Sequence, residues 1–102
     1  MPEQTRKKLS LKWTTRAEEE WERILTFYTI RNGSRTYSLK LDTELKHILE
    51  LLCIQPGMGQ ETKRKGIRRR VIARRFALFY QFDSESVTVV SIVDARRNVP
   101  LD

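Results

Sequence analysis

The chain has 102 residues, 39% hydrophobic and 32% charged, which is typical of one globular domain. Twenty Lys and Arg against thirteen Asp and Glu give a net charge of +7, which favours nucleic acid, a membrane surface or an acidic protein as partner. No apolar run approaches the roughly 20 residues of a membrane span, and no apolar segment follows the basic N-terminus as in a secretory signal. The single cysteine, Cys53, excludes an internal disulfide, so we expect a cytoplasmic protein.

The first third of the chain predicts a strand followed by a helix. Residues 9–13 alternate apolar and polar side chains, as a short strand does, and residues 1–8 are expected to form a flexible tail. Thr15 and Glu18 have the spacing of a capping box, which marks the start of a helix. The apolar stripe of this helix consists of Ala17, Trp21, Ile24, Leu25 and Tyr28.

A turn at Asn32-Gly33-Ser34 predicts a second helix directly after the first. Gly33 can adopt a positive φ, and Ser34 can cap the next helix. The second apolar stripe consists of Tyr37, Leu41, Leu45, Ile48, Leu49 and Leu52. Because the connection is short, we expect an antiparallel helical hairpin, which ends at Pro56 and the glycines after it.

The second half of the chain has the patterns of strands. After a basic loop at 63–66, strands are predicted at 67–73, 76–82 and 86–93, and those joined by tight turns are expected to be antiparallel. The order β-α-α-β-β-β predicts an α+β fold with the helical hairpin packed on one face of a small antiparallel sheet. We expect residues 1–102 to form a single domain.

Segment 63–75 carries eight cations and no acidic residue. These cations are Lys63, Arg64, Lys65, Arg68, Arg69, Arg70, Arg74 and Arg75. Strand alternation places Arg68 and Arg70 on one face and Arg69 on the other. Because helices cannot cover arginines on both faces, one side is expected to be open. We expect that side to join Arg96 and Arg97 in a continuous cationic surface for an anionic partner.

The order of elements and several local strings resemble the RelE/ParE superfamily of type II toxin–antitoxin toxins. The strings are LKWTTRAEEEWERIL, Asn32-Gly33-Ser34 with Tyr37, Leu52 with Pro56-Gly57-Met58-Gly59, Gly66-Ile67-Arg68, Phe76-Ala77-Leu78-Phe79-Tyr80 and Asp94-Ala95-Arg96-Arg97-Asn98. The resemblance spans about residues 9 to 100. It implies a plasmid-stabilising toxin that inhibits growth and is neutralised by a cognate antitoxin in a hetero-oligomer.

The family that this chain resembles divides into ribosome-dependent mRNA endonucleases and inhibitors of DNA gyrase. The resemblance implies an arginine after the strand aromatic in RelE-like nucleases, but Ala77 follows Phe76 here. No tyrosine or histidine follows Tyr80, so the C-terminal catalytic residue of the nuclease branches has no counterpart. The lone histidine, His47, lies away from the apolar stripe. These departures favour ParE-like gyrase inhibition, with mRNA cleavage or an inactive, regulatory nucleic-acid-binding protein as alternatives.

Candidate site residues follow from the cationic segment and the resemblance. The catalytic candidates for RNA cleavage are Lys65, Arg68, Arg75, Tyr80 and Arg96. The predicted target-binding residues are Lys63, Lys65, Arg68, Arg69, Arg70, Arg74, Arg75, Arg96 and Arg97. Arginine is a poor proton shuttle, Tyr80 in mid-strand favours a structural role, and Asp94 is placed to pair with the arginines after it. No metal or other cofactor is expected, because Cys53 lacks partners at zinc-ligand spacing.

Overall fold

A computed structural model describes residues 7–96 of the chain, so most of the predicted 1–8 tail lies outside the described residues. In chain order the elements are β1 Ser10–Trp13, α1 Thr15–Asn32, α2 Thr36–Ile54, a 3-10 turn Pro56–Met58, β2 Gln60–Glu61, β3 Arg68–Ile72, β4 Phe76–Phe82 and β5 Ser86–Asp94. The predicted order is confirmed, with the two-residue strand β2 as an addition. No helix within the described range is long and apolar enough to span a membrane.

The cap of α1 is Thr14 rather than the predicted Thr15. Thr14 has an extended backbone, and its Oγ1 accepts the N–H of Ala17 at 3.1 Å. The same hydroxyl donates to the Val90 carbonyl at 3.1 Å, which ties the start of α1 to β5. The predicted capping box with Glu18 is wrong, because Thr14 and not Thr15 holds the extended conformation that a cap requires.

The predicted helical hairpin of α1 and α2 is confirmed. Gly33 ends α1 with φ 64°, the left-handed conformation that glycine adopts readily. Hydroxyl groups join the two helices, because Ser38 Oγ lies 2.7 Å from Thr29 Oγ1 and donates to the Leu25 carbonyl at 2.8 Å. Trp21 lies in the core stripe of α1, and its indole N–H donates a hydrogen bond to the carboxylate of Asp42 on α2 at 3.0 Å.

The five strands form one mixed sheet in the order β1-β5-β4-β3-β2. As predicted for strands joined by tight turns, β4 is antiparallel to both β3 and β5. The sheet is not wholly antiparallel, however, because β1 lies parallel to β5 with Trp13 opposite Val89. The two helices and the β2–β4 strands separate β1 from β5 in sequence, so no turn fixes their direction.

Buried apolar residues lie on both faces of the sheet. The larger cluster joins the helices to one face of β3, β4 and β5, where Trp21 and Phe76 meet edge to face at 6.2 Å. A smaller cluster on the other face contains Ile67, Ala77 and Phe79. Strand alternation along β4 therefore places buried side chains on both sides.

Candidate functional site

The structure does not bring the cations of segment 63–75 together on one open face. Lys63, Arg64 and Lys65 are exposed in the loop between β2 and β3. Arg74 and Arg75 lie beyond the other end of β3, in the turn that leads to β4. The five residues of β3 put about 17 Å between the two groups. The eight cations are therefore divided between the two ends and the two faces of β3.

The three central arginines lie on two different faces of β3, as strand alternation predicts. Arg68 is opposite Tyr80 and therefore lies on the helix side of the sheet, as does Arg70. Arg69 faces the other side together with Val71, which is 42% exposed. That side also holds the buried Phe79, so it is open only in part. Arg97, the last member of the predicted binding set, lies outside the described residues.

Arg68 is engaged in holding the turn after α2. Its Nη1 donates to the Gly59 carbonyl at 2.7 Å and to the Gly57 carbonyl at 3.3 Å. Nη2 reaches a carboxylate oxygen of Glu61 at 3.4 Å, and the guanidinium lies 5.9 Å from the centre of the Phe82 ring. The side chain is 26% exposed. Its donors are therefore directed mainly at the protein's own backbone.

Tyr80, the candidate acid, is locked inside the fold. The residue is 0% exposed, its hydroxyl donates to the Pro56 carbonyl at 2.6 Å, and the same oxygen accepts the Gly59 N–H at 2.8 Å. Burial raises the pKa of Tyr80 above its ordinary value. A general acid must be able to give its proton to the substrate. The Tyr80 proton is directed at an internal carbonyl and does not face solvent.

A second basic group lies at the far end of the sheet, where Arg75 and Arg96 meet α1. Arg75 Nη1 donates to the Tyr28 hydroxyl at 2.6 Å, and the guanidinium lies 5.9 Å from the centre of that ring. Arg96 forms a bidentate pair with Asp94, with Nη2–Oδ2 at 2.8 Å and Nε–Oδ1 at 3.1 Å. The predicted pairing of Asp94 with a following arginine is confirmed. The catalytic candidates are thus split, since Arg75 and Arg96 lie together while Lys65 and Arg68 lie elsewhere.

The hydrogen bonds from Arg96 lower the pKa of Asp94 from 3.8 to about 2. A lowered carboxylate pKa stabilises the fold above the ordinary pKa, and the contribution disappears as the pH falls from about 4 to about 2. The pair is partly exposed, so we expect less than about 1 kcal/mol. Urea unfolding between pH 2 and pH 7 should show a smaller acid-side loss for Asp94→Asn than for the unmodified chain. Parallel pH profiles for the two proteins would contradict this expectation.

Glu20 is a structural residue that the sequence did not reveal. Its Oε1 accepts the Ile92 N–H at 3.0 Å and the Ser91 hydroxyl at 2.8 Å, and its other oxygen accepts Arg16 Nε at 3.2 Å. The acceptor sits beside a bulge, because Phe79 pairs with Ser91 whereas the next residue of β4 pairs with Val89. Glu20 is the last of three consecutive glutamates in α1, and the sequence pattern does not predict that its side chain turns inward.

A groove of about 950 Å³ runs between α1 and the end of β5. We call it the α1–β5 groove, and its apolar lining consists of Ile24, Phe27, Tyr28, Phe76, Ile92 and Val93. Its charged and polar lining consists of Glu19, Glu20, Glu22, Arg23, Thr26, Arg31, Asp94 and Arg96. Of the cations predicted to bind a target that fall within residues 7–96, only Arg96 lines this groove. Among residues 7–96, no group of three or more acidic, His or Cys side chains could hold a metal ion.

Comparison with known proteins agrees with this architecture. The family model described as "ParE toxin of type II toxin-antitoxin system, parDE" matches residues 11–99. The chromosomal ParDE toxin–antitoxin system from P. aeruginosa has a TM-score of 0.72 at 21% identity, covering 85% of this chain and 96% of that one. The E. coli DinJ–YafQ toxin–antitoxin complex has a TM-score of 0.52 at 9% identity, covering 85% and 92%.

At these identities the two solved structures establish a shared fold alone, and a search of curated proteins finds no match. The family model carries the assignment, because it covers nearly the whole chain from the middle of β1 to beyond β5. The chain therefore belongs to the ParE toxin family of type II toxin–antitoxin systems, within the RelE/ParE superfamily.

Proposed function

We propose that this toxin inhibits growth by binding DNA gyrase in the cytoplasm, without cleaving RNA, and that a cognate antitoxin silences it. The observation that carries the proposal is the Tyr80 hydroxyl, which uses its proton on the Pro56 carbonyl and its oxygen on the Gly59 N–H. Gyrase is the target that resemblance to the ParE branch implies. Because the Tyr80 proton is directed at an internal carbonyl, this tyrosine is not available as the acid, which supports inhibition by binding.

RNA cleavage would require a base for the 2′-hydroxyl and an acid for the leaving oxygen. The arginine candidates cannot serve well, since a guanidinium keeps its proton at all physiological pH values. Lys65 is exposed in the loop between β2 and β3. His47 is exposed on α2. These residues can bind phosphate or carboxylate groups but offer no matched acid and base.

The loop between β2 and β3 is the cationic surface best suited to contact the target. Thr62 Oγ1 accepts the Arg64 N–H at 3.1 Å and donates to the Ile67 carbonyl at 2.9 Å, which fixes the loop. Lys63, Arg64 and Lys65 are exposed, and none forms an ion pair within the part of the chain described. A fixed loop loses little conformational entropy on binding, so its charges are ready for an acidic surface.

Removing two loop charges should weaken inhibition of gyrase. For Lys63→Ala/Lys65→Ala, we expect the concentration that halves DNA supercoiling by purified gyrase to rise about tenfold, equivalent to about 1.4 kcal/mol. Arg35→Ala/Lys40→Ala is the matched control, because it removes the same charge from exposed positions at the start of α2. We expect the control to stay within about twofold, and equal losses in the two variants would argue for a general charge effect.

The unmodified toxin should also be tested against both target classes at the same concentrations. We expect it to block supercoiling by purified gyrase and to leave mRNA intact in a translating extract. Cuts in ribosome-bound mRNA without gyrase inhibition would support the RelE-like alternative. No effect in either assay would support an inactive or regulatory protein.

A further inference from the structure

The turn between β3 and β4 has a backbone conformation that its residue types rarely adopt. Ala73 and Arg74 have φ of 54° and 58°, both in the left-handed region. The Arg75 N–H closes the turn on the Ile72 carbonyl at 3.0 Å, which makes it a two-residue hairpin turn, where asparagine and glycine are preferred. A carboxylate oxygen of Glu44 on α2 accepts the Ala73 N–H at 2.8 Å and holds the turn from outside. Strain of this kind, at an exposed charged residue, points to a role beyond folding.

Four arginines meet at this end of the sheet. The Ala95 N–H donates to the Arg75 carbonyl at 2.8 Å, which places Arg96 beside the turn. The Arg75 side chain donates to the Tyr28 hydroxyl of α1 at 2.6 Å. Arg31 lies on α1 three residues after Tyr28, and it lines the α1–β5 groove together with Arg96. We call this group the arginine tip, and it consists of Arg31, Arg74, Arg75 and Arg96.

The charge of the arginine tip is only partly neutralised within the fold. Arg96 is paired with Asp94, yet its side chain is still 66% exposed. Arg31 and Arg74 are exposed, and neither forms an ion pair within residues 7–96. With the Glu44 carboxylate included, four guanidinium groups stand against two carboxylates. The arginine tip therefore carries excess positive charge that an anionic partner would compensate.

The composition of the arginine tip suits phosphate groups. A guanidinium can bind a phosphate through two parallel hydrogen bonds, and interfaces with nucleic acid are more polar and more positive than those between proteins. No large apolar side chain is exposed at residues 72–76 or 94–96, so the turn and the end of β5 offer no apolar centre for a protein interface. The arginines come from three segments of the chain, which allows contacts with successive phosphates of one backbone.

We infer that the arginine tip binds the phosphate backbone of duplex DNA. The inference rests on the proposed function, because gyrase acts on DNA and a toxin bound to gyrase lies near the duplex. It divides the cations between two partners, since the loop at 63–65 contacts the enzyme while the arginine tip contacts the DNA. The strained turn then serves to hold Arg74 exposed at the end of the hairpin.

The test is fluorescence anisotropy of a labelled duplex of about 20 base pairs, titrated with the purified full-length toxin between about 50 and about 200 mM salt. We expect Arg74→Gly to weaken binding about fivefold at the lowest salt. The slope of log affinity against log salt should become shallower by about 0.9, the value for one lost phosphate contact. Arg31→Gln should weaken binding about threefold, by the same mechanism.

The thermal stability of Arg74→Gly separates a role in binding from a role in folding. Glycine adopts the left-handed conformation without a steric penalty, so we expect Tm to be unchanged or higher while DNA binding weakens. Lys12→Gln is the control, because it removes one exposed charge from β1. Lys12 lies opposite Thr88, six residues before Asp94 on β5 and thus about 20 Å from the arginine tip. We expect its affinity for the duplex to stay within about twofold.

The results that would overturn the inference differ from those that would overturn the proposed function. If Lys12→Gln weakens binding as much as Arg74→Gly, net charge causes the effect and the arginine tip is not the DNA site. If the unmodified toxin inhibits gyrase but binds no duplex, the inference fails and the proposed function stands. If Arg74→Gly and Arg31→Gln keep their affinity for DNA but lose affinity for an acidic protein partner, the arginine tip belongs to that partner and the inference is wrong. If the toxin binds DNA as expected but does not inhibit gyrase, the proposed function fails and the DNA site remains.

Discussion

Gly59→Ala should destabilise the protein by about 3 kcal/mol, the largest effect that we expect from a single added methyl group. The new Cβ would lie 2.4 Å from the Tyr80 hydroxyl oxygen and 2.7 Å from Cε1 of the same ring. Tyr80 is fully buried, so the ring cannot move aside without disturbing the core. Thermal unfolding should show a fall in Tm of at least about 10 °C for a domain of this size.

Gly57→Ala is the matched control for Gly59→Ala. Gly57 lies two residues earlier, and a Cβ there would meet nothing within 4 Å. We expect its free energy of unfolding to change by less than about 0.5 kcal/mol. Tyr80→Phe should cost about 2 kcal/mol, because the Gly59 N–H and Pro56 carbonyl lose their partner. Equal stabilities of Gly59→Ala and Gly57→Ala would contradict the packing described for Tyr80.

Glu20→Ala should have the second largest effect, a loss of about 2–3 kcal/mol measured by urea unfolding. The change removes the acceptor of the Ile92 N–H and of the Ser91 hydroxyl, and Ser91 is only 1% exposed. A buried donor without a partner costs about 1–3 kcal/mol. The bulge in β5 should also loosen, which faster amide hydrogen exchange at Ile92 would report.

Glu22→Ala provides the comparison for Glu20→Ala, because it removes the same group from the same helix. Glu22 is exposed and forms no ion pair within residues 7–96. We expect it to change the free energy of unfolding by less than about 0.5 kcal/mol. A similar loss in both variants would show that helix propensity, and not the contact with β5, causes the effect.

Much of the fold could be predicted because periodic patterns report local structure. The helical stripes and the alternating strands of the second half predicted α1, α2 and β3–β5 with boundaries close to those observed. The direction of β1 could not be predicted, because its partner β5 lies at the opposite end of the sequence. β2 was missed because two residues contain no pattern.

The sequence predicted which residues belong to the candidate site, but it did not predict how their side chains are arranged. Alternation correctly placed Arg68 and Arg69 on different faces of β3, but it could not show where a long side chain ends. Arg68 reaches the Gly59 carbonyl nine residues away, and Tyr80 reaches the same turn from β4. Such contacts depend on tertiary packing, so the sequence could not show which of these side chains are engaged within the fold.

The most direct measurement follows toxin expression in cells without antitoxin and scores gyrase-linked DNA breaks and mRNA 5′ ends in the same culture. Inhibition by binding predicts DNA breaks that require gyrase, with mRNA ends unchanged from those of uninduced cells. New mRNA ends at the ribosomal A site, appearing before any DNA breaks and lost in Arg68→Met, would contradict it. That result would mean that the turn holding Arg68 and Tyr80 opens to form a nuclease site.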